Sequence, residues 1–349
     1  MKGNEIMRKR GLEHKWELDS KISYGLNIKK RMIPTIYGGI IGDMLGVPVE
    51  FRKRGTYKIE GVTGFGTYNQ KPGTWSDDTS MTFCLMENII EKGNAEDLMN
   101  KFVDYAEKGY MTPYGKMFDI GRTTVESIRR FKKGIPANEC GGNTEYDNGN
   151  GALMRIAPIA FTIFENFNFV EKCQVIKEIS ELTHRHPRSI VGSIIFVEIL
   201  LRMYWNSTLE ESLCDVKELF EENFSDNHIY RKELQNYNRI FDKDFFKTPE
   251  EEIKSSGYVV DTLEAAIWCL GTTDNFKDAV LKAVNLGGDT DTIASITGSL
   301  AGMLYKMDSI PEEWLEAIAD KENVDRLIQE FFKSVSEAAI LKEYGSLWD

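Results

Sequence analysis

The chain is short of positive charge: its 43 lysines and arginines are outnumbered by 55 aspartates and glutamates, for a net charge of −12. That balance argues against a nucleic-acid backbone as the main partner, because phosphate binding needs clustered Lys and Arg. Cysteine is sparse as well. Cys84, Cys140, Cys173, Cys214 and Cys269 are scattered, with no CxxC pair and an odd total. Such spacing excludes a disulfide framework or a zinc–cysteine centre and suits the reduced thiols of a cytosolic protein. No apolar run is read as approaching a membrane span. The N-terminus, beginning Met-Lys-Gly-Asn-Glu, lacks the hydrophobic segment of a secretory signal. A cytoplasmic location with no membrane partner is therefore expected. Strand-like alternation is confined to about 57–62, and neither an internal repeat nor a low-complexity tract occurs.

Within those limits the chain reads as helical. Its 349 residues are 42% hydrophobic and 28% charged, the make-up of a soluble globular protein. Helix-like recurrence begins at Thr35, just after Pro34, where Ile36, Ile40, Met44 and Val47 recur at helical spacing. Gly38, Gly39, Gly42 and Gly46 line a smooth face of that helix, which lets another helix approach closely at a cost in helix propensity. Further helices are expected over 78–91, 95–108 with Asn94 as cap, 123–133, 170–182, 189–205 and 209–224. The series continues over 262–270, 276–286, 290–305, 312–320 and 324–344. The polar stretch 221–256, dotted with Phe224, Tyr230, Tyr237, Phe241, Phe245 and Phe246, reads as a surface insertion. The expectation is an all-α domain over 35–349, preceded by a charge-mixed N-terminal extension over 1–34.

Two acidic clusters carry the chemistry. Ser76-Asp77-Asp78-Thr79 follows Gly73-Thr74-Trp75, and Asp289-Thr290-Asp291-Thr292 follows Gly287-Gly288. Either alone has an ordinary explanation, since Asp, Ser and Thr are preferred helix N-caps. Two clusters of matching chemistry beside glycines are harder to assign to capping. If the fold joins them, the carboxylates of Asp77, Asp78, Asp289 and Asp291 would repel one another unless cations sit between them. Oxygen-only donors suit hard divalent ions, so a binuclear Mg²⁺ or Mn²⁺ site is expected. Between the clusters, Asn148-Gly149-Asn150-Gly151 precedes an apolar helix through Met154, Ile156 and Ile159. Glycines before a helix free the backbone to approach an anionic ligand, although a plain turn has the same signature. His184 joins two helices, where a cap or surface role is the usual one. Gly38-Gly39-Ile40-Ile41-Gly42-Asp43 superficially suggests a dinucleotide fingerprint but lacks the strand that must precede it.

Five segments occur in order: Gly42-Asp43-Met44-Leu45-Gly46-Val47-Pro48-Val49-Glu50-Phe51, Gly73 to Thr79, Asn148 to Arg155, Thr183-His184, and Gly287 to Thr292. Together they resemble the ADP-ribosylglycohydrolase family, of the dinitrogenase-reductase-activating type, from about Thr35 to Tyr305. The resemblance implies a single compact all-α domain around a two-metal centre that hydrolyses ADP-ribose from modified protein side chains. Metal ligands implied by it are Ser76, Asp77, Asp78, Asp289, Asp291 and Thr292. Where the family's first motif usually reads Trp-Thr-Asp-Asp-Thr, Ser76 keeps a hydroxyl donor. Glu50 matches the acidic residue beside the metals and, with Asp77, is the implied catalytic carboxylate. Asn148, Gly149, Asn150, Gly151, His184, Gly287 and Gly288 match positions lining the substrate groove. Asp119, in Phe118-Asp119-Ile120-Gly121, matches a residue facing the leaving group, and a carboxylate there favours an arginine guanidinium. The implied partner is an ADP-ribosylated protein. An alternative implied reading is an immunity protein whose N-terminal extension, through Trp16, Leu18, Ile22 and Tyr24, docks on a cognate ADP-ribosyltransferase toxin.

Overall fold

A computed structural model describes residues 25–344. The extension's Trp16, Leu18, Ile22 and Tyr24, and with them the toxin-docking reading, lie outside the described residues.

Helix α1 spans 25–46 and continues into a 3₁₀ turn, Val47–Val49. It starts ten residues before the expected boundary at Thr35, with Pro34 inside it, so 25–34 belong to the domain rather than to an extension. Burial explains the difference: Ile28, Met32 and Ile33 are core residues, and the Arg31 guanidinium donates to the Met303 carbonyl at 2.8 Å and to Asn206 Oδ1. Proline's missing N–H frees only the carbonyl of exposed Lys30, where water can reach it, while the Thr35 hydroxyl donates to Arg31 O at 2.7 Å. By length and composition Gly25–Val49 could cross a membrane, contrary to the expectation that no segment comes close. Its most apolar stretch is completely buried in protein, as befits a central core helix.

Around it come α2 Asp77–Ile90, α3 Ala95–Lys108, α4 Arg122–Lys132, α5 Ala160–Ile163, α6 Phe169–Ser180, α7 Pro187–Tyr204 and α8 Leu209–Asn223. Then follow α9 Ile229–Leu234, α10 Val259–Gly271, α11 Phe276–Val284, α12 Thr290–Tyr305, α13 Glu312–Glu316 and α14 Lys321–Tyr344. The all-α expectation holds, and α3 and α12 have the bounds read from the sequence. Among the described residues, extended pairing is limited to isolated bridges, Phe65 with Gln70, Gly142 with His184, and Gly149 with Tyr258. The strand expected at 57–62 does not form. Its backbone pairs instead with one side chain: Ile59 N donates to Asn285 Oδ1 at 2.8 Å and Asn285 Nδ2 donates to Ile59 O at 2.9 Å.

Two further expectations are corrected. The helix through Met154, Ile156 and Ile159 is two 3₁₀ turns, Leu153–Arg155 and Ala157–Ile159, before α5. Pro158 has no N–H to donate and its ring would clash with the carbonyl four residues back, which stops α-helical continuation. The stretch 221–256 is packed rather than loosely attached: Leu234, Tyr237, Ile240, Phe245 and Ile253 are buried, and the Tyr237 hydroxyl donates to Arg188 O at 2.8 Å.

Helices α1 and α12 pack backbone to backbone, antiparallel. A Cβ on Gly38 would lie 2.0 Å from Gly298 O, one on Gly42 1.9 Å from Ala294 O, and one on Gly46 2.3 Å from Asp291 Cα. At the other end a Cβ on Gly302 would lie 2.0 Å from Pro34 O. The smooth glycine face read from the sequence therefore meets a second one. Gly42→Val should lower unfolding free energy by about 3 kcal/mol or more, because backbone cannot yield as a side-chain tip does. Urea unfolding checks this, and an unchanged midpoint would show that the seam can open freely.

Candidate active site

The α1–α12 seam ends where the chemistry begins. Asp43, on the last turn of α1, is fully buried and accepts hydrogen bonds from the first turn of α2: Ser76 N at 2.9 Å, Thr79 N at 3.0 Å and Thr79 Oγ1 at 2.6 Å. Those amides have no partner within their own helix, so a buried carboxylate satisfies them and orients α2. Ser76 caps the helix, its Oγ accepting from Asp78 N at 3.3 Å, and Asp77 and Asp78 enter a cavity of about 420 Å³.

The second cluster arrives from the other side. Gly287 and Gly288 take φ of +75° and +72°, and a Cβ on Gly288 would lie 2.0 Å from Ser255 O. Only glycine suits that turn, which is locked by Phe51 N donating to Gly288 O at 2.7 Å and Gly288 N donating to Arg52 O at 3.0 Å. Asp289, Asp291 and Thr292 then line the same cavity, and the Thr292 hydroxyl donates to Asp78 Oδ2 at 3.2 Å. The clusters thus meet across 214 residues of sequence.

Of the residues expected at the site, Glu50, Asp77, Asp78, Asp119, Gly149, Asn150, Gly151, His184, Asp289, Asp291 and Thr292 line the cavity. Ser76, Asn148, Gly287 and Gly288 stand behind its wall. Ser76 Oγ lies 3.4 Å from Asp78 Oδ2, and Asn148 O accepts from Val259 N at 3.0 Å, pinning the 148–151 loop to the start of α10. Asn150 reaches further, its Nδ2 donating to Asp289 Oδ2 at 2.8 Å and to Thr262 Oγ1 at 2.9 Å. One carboxylate oxygen from each of Glu50, Asp119 and Asp291 lies within 4.8 Å of the other two, a group that could hold a metal ion.

These charges raise one another's pKa. Glu50 is pushed up to about 8, by burial first and then by Asp119 and Asp289, against hydrogen bonds from Tyr68 and Asp291. Asp77, Asp78 and Asp291 are held well above the ordinary range by burial and then by neighbouring carboxylates, and Asp119 is raised by burial first. Asp43 rises only to about 6, because the Thr79 and Ser76 donors offset its burial. Glu50 Oε2 and Asp78 Oδ1 are buried with no hydrogen-bond partner. Unpaired buried carboxylate oxygens, with no sulfur or nitrogen among the cavity's acidic donors, fit a hard metal ion, and these groups could hold one.

The glycine loop and His184 add hydrogen-bonding groups to the same cavity. Arg155, buried and stacked 4.9 Å from the Phe102 ring, donates to Gly151 O and, at 2.7 Å, to Thr183 Oγ1. Its pKa falls to about 9 through burial, and it holds His184 down to about 3, secondary to burial of the ring. Thr183 Oγ1 lies 2.9 Å from His184 Nδ1. The Thr183 hydroxyl thus links the Arg155 guanidinium to the neutral His184 ring. A Cβ on Gly151 would lie 2.7 Å from His184 Cε1, so the ring fits only beside a glycine.

Asp43, Tyr68 and Arg155 were not singled out from the sequence as site residues. Asp43 left a signal, being the only charged residue between Arg31 and Glu50 in an otherwise apolar stretch. Tyr68, whose pKa is raised by burial and then by the charges of Asp119 and Glu50, left none.

A family model described as ADP-ribosylglycohydrolase matches residues 25–339. The chain belongs to the ADP-ribosylglycohydrolase family. It is 34% identical over 308 residues to ADP-ribosylarginine hydrolase Tri1 of Serratia proteamaculans (strain 568), covering 86% of this chain and 79% of that protein. With ADP-ribosyl-[dinitrogen reductase] glycohydrolase of Rhodospirillum rubrum it shares 27% over 299 residues, 84% of this chain and 92% of the relative. The fold matches the structure titled "ADP-ribosylglycohydrolase-related protein complex" with a TM-score of 0.72 and 25% identity, over 88% of this chain and 98% of that one.

Carboxyls with raised pKa make metal-free stability depend on pH. Glu50, at about 8 when folded against 4.5 ordinarily, holds a proton in the folded state that the unfolded chain releases between those values. Stability should therefore fall as pH rises from 4.5 to about 8, and a divalent cation should restore it at the alkaline end. Thermal melts at pH 5 and pH 8, with chelator or with added cation, check this; equal melts in chelator would contradict the charge crowding.

Proposed function

We propose that this family member is a metal-dependent hydrolase that removes ADP-ribose from modified arginine side chains of proteins. The observation that carries the reading is one cavity lined both by crowded carboxylates from the two acidic clusters and by a neutral histidine beside a glycine loop. The relatives' names, an ADP-ribosylarginine hydrolase and a dinitrogen-reductase glycohydrolase, support the same activity.

On this reading Asp77, Asp78, Asp289, Asp291 and Thr292 would hold two divalent cations, Mg²⁺ or Mn²⁺, with the implied ligand Ser76 backing Asp78 from behind the wall. When bound, these would supply Lewis acidity toward ribose hydroxyls and water, and positive charge that keeps the carboxylates ionised. The protein's own groups divide the remaining work. The Gly149–Gly151 loop and the neutral His184 ring bind the anionic and ribose parts of the substrate without adding charge. Glu50 Oε2, with no protein partner, accepts a proton from the water that attacks the anomeric carbon. The carbon–nitrogen bond breaks through an oxocarbenium-like state, its electron pair leaving on the guanidine nitrogen. Asp119 accepts hydrogen bonds from that guanidinium, and Tyr105, donating to Asp119 O at 2.5 Å, fixes its backbone. A cytoplasmic setting is part of the proposal, supported by five free cysteines, four of them buried. No observation favours the toxin-binding alternative.

Asp77→Ala and Asp291→Ala should abolish release of ADP-ribose while the circular dichroism of the helices persists. Release at wild-type rate in either variant, with metal present, would reduce the clusters to helix caps. Arginine-linked ADP-ribose should be cleaved in preference to serine-linked, whose neutral leaving group gains nothing from Asp119. Asp119→Asn should lower kcat/KM on the arginine substrate by about ten- to a hundredfold, with little change in free ADP-ribose binding. Preference for the serine linkage, or an unaffected Asp119→Asn enzyme, would remove the arginine assignment.

A further inference from the structure

Phe51 follows Glu50 directly and lines the mouth of the same cavity, with 68% of its surface exposed. Its φ of +60° lies in the left-handed region, where a bulky side chain is strained and Gly or Asn is the ordinary occupant. Neither the backbone nor burial of the ring gains anything from phenylalanine here. The conformation is imposed from outside, by the hydrogen bonds between Phe51, Arg52 and Gly288 and by Arg52 N donating to Val49 O at 3.0 Å. A second exposed phenylalanine, Phe65, also has positive φ, +66°, and 57% exposure. Its loop is tied to the same point, since Thr67 Oγ1 donates to Glu50 O at 2.7 Å. Arg52 and Lys53, both exposed, continue the segment. Phe51 combines a strained backbone, an exposed ring and a place in the cavity lining, which marks a position kept for contact rather than for folding.

We infer that Phe51, supported by Phe65, is a docking residue for the polypeptide that carries the modified arginine. This rests on the hydrolase reading above. ADP-ribose fills the cavity behind Glu50, and the side chain that bears it must leave past Phe51 to rejoin its protein. An apolar residue next to the modified arginine packs on the exposed ring, and acidic neighbours suit Arg52 and Lys53. Phe51 thus selects among protein substrates without touching the bond that breaks.

The test compares free ADP-ribosyl-arginine with a peptide whose ADP-ribosylated arginine is flanked by leucine and glutamate. Phe51→Gly, which suits the positive φ, should raise KM for the peptide about tenfold with kcat kept. Its kcat/KM on free ADP-ribosyl-arginine should stay within about twofold of wild type, and Phe51→Tyr should restore peptide KM. Equal losses on both substrates, or no change on either, would overturn the inference. Phe51→Asn gives the same reading if the glycine variant does not fold. Binding of the modified peptide, followed by fluorescence anisotropy in chelator, should weaken by the same factor in Phe51→Gly. That binding arm decides the inference even if the wild-type protein cleaves neither substrate, an outcome that would remove the hydrolase reading instead.

Discussion

Helices α1 and α12 approach until Gly38 and Gly42 meet the carbonyls of Gly298 and Ala294, a spacing that leaves no room for a methyl group. Everything chemical depends on that contact. Because the helices run antiparallel with glycine at successive turns, the C-terminal end of α1 meets the N-terminal end of α12 at Gly46 and Asp291. Glu50, just beyond α1, then shares one cavity with Asp289, Asp291 and Thr292, while Asp43 holds the start of α2 beside it. A side chain in the seam would move the two sets apart. Small residues cost helix propensity throughout this stretch, and the close packing they permit offsets that cost.

The site gathered there opposes folding. Several carboxylates share one enclosed space, and each raises the pKa of the others in addition to the effect of its own burial. Helix geometry moderates this. The first turns of α2 and α12 point amides toward the cluster, and Asp43 absorbs three donors from α2 that would otherwise lack partners. Glu50 and Asp78 nevertheless keep oxygens that no protein group satisfies. A protein selected only for stability would replace such groups, so their retention belongs with a bound cation. Beside the glycine loop, Arg155 is spent on Thr183 and Gly151, and its proximity helps keep His184 neutral.

Much was legible before any coordinates. Helix α3 carries its own start signal, Asn94 and Asp97 forming a capping box, and α12 follows a glycine pair that can only be a turn. The glycine face of α1 announced a close neighbour. Where the reading failed, a distant contact had overruled a local rule. Pro34 looked like a helix start, yet burial of Ile28 and Met32 extends α1 through it. Residues 57–62 alternate like a strand, but the available partner is the side chain of Asn285. The aromatic-dotted stretch 221–256 looked like a surface connection, and its rings are instead anchors against α7 and α10.

For the site, the sequence alone determined which residue types were present and that their oxygen donors suit hard cations. Local patterning places each acidic cluster at a helix start, since capping depends on near neighbours. It could not determine which oxygens would meet. That an oxygen from each of Glu50, Asp119 and Asp291 meets within 4.8 Å, and that Ser76, Gly287 and Gly288 sit behind the wall, follow from long-range packing. The fully buried Asp43 is the clearest case: an isolated charge was visible in the sequence, but its partners are more than 30 positions away. Short-range rules decide helices and turns, whereas distances between carboxylates depend on how closely two backbones pack, and only the folded chain fixes that.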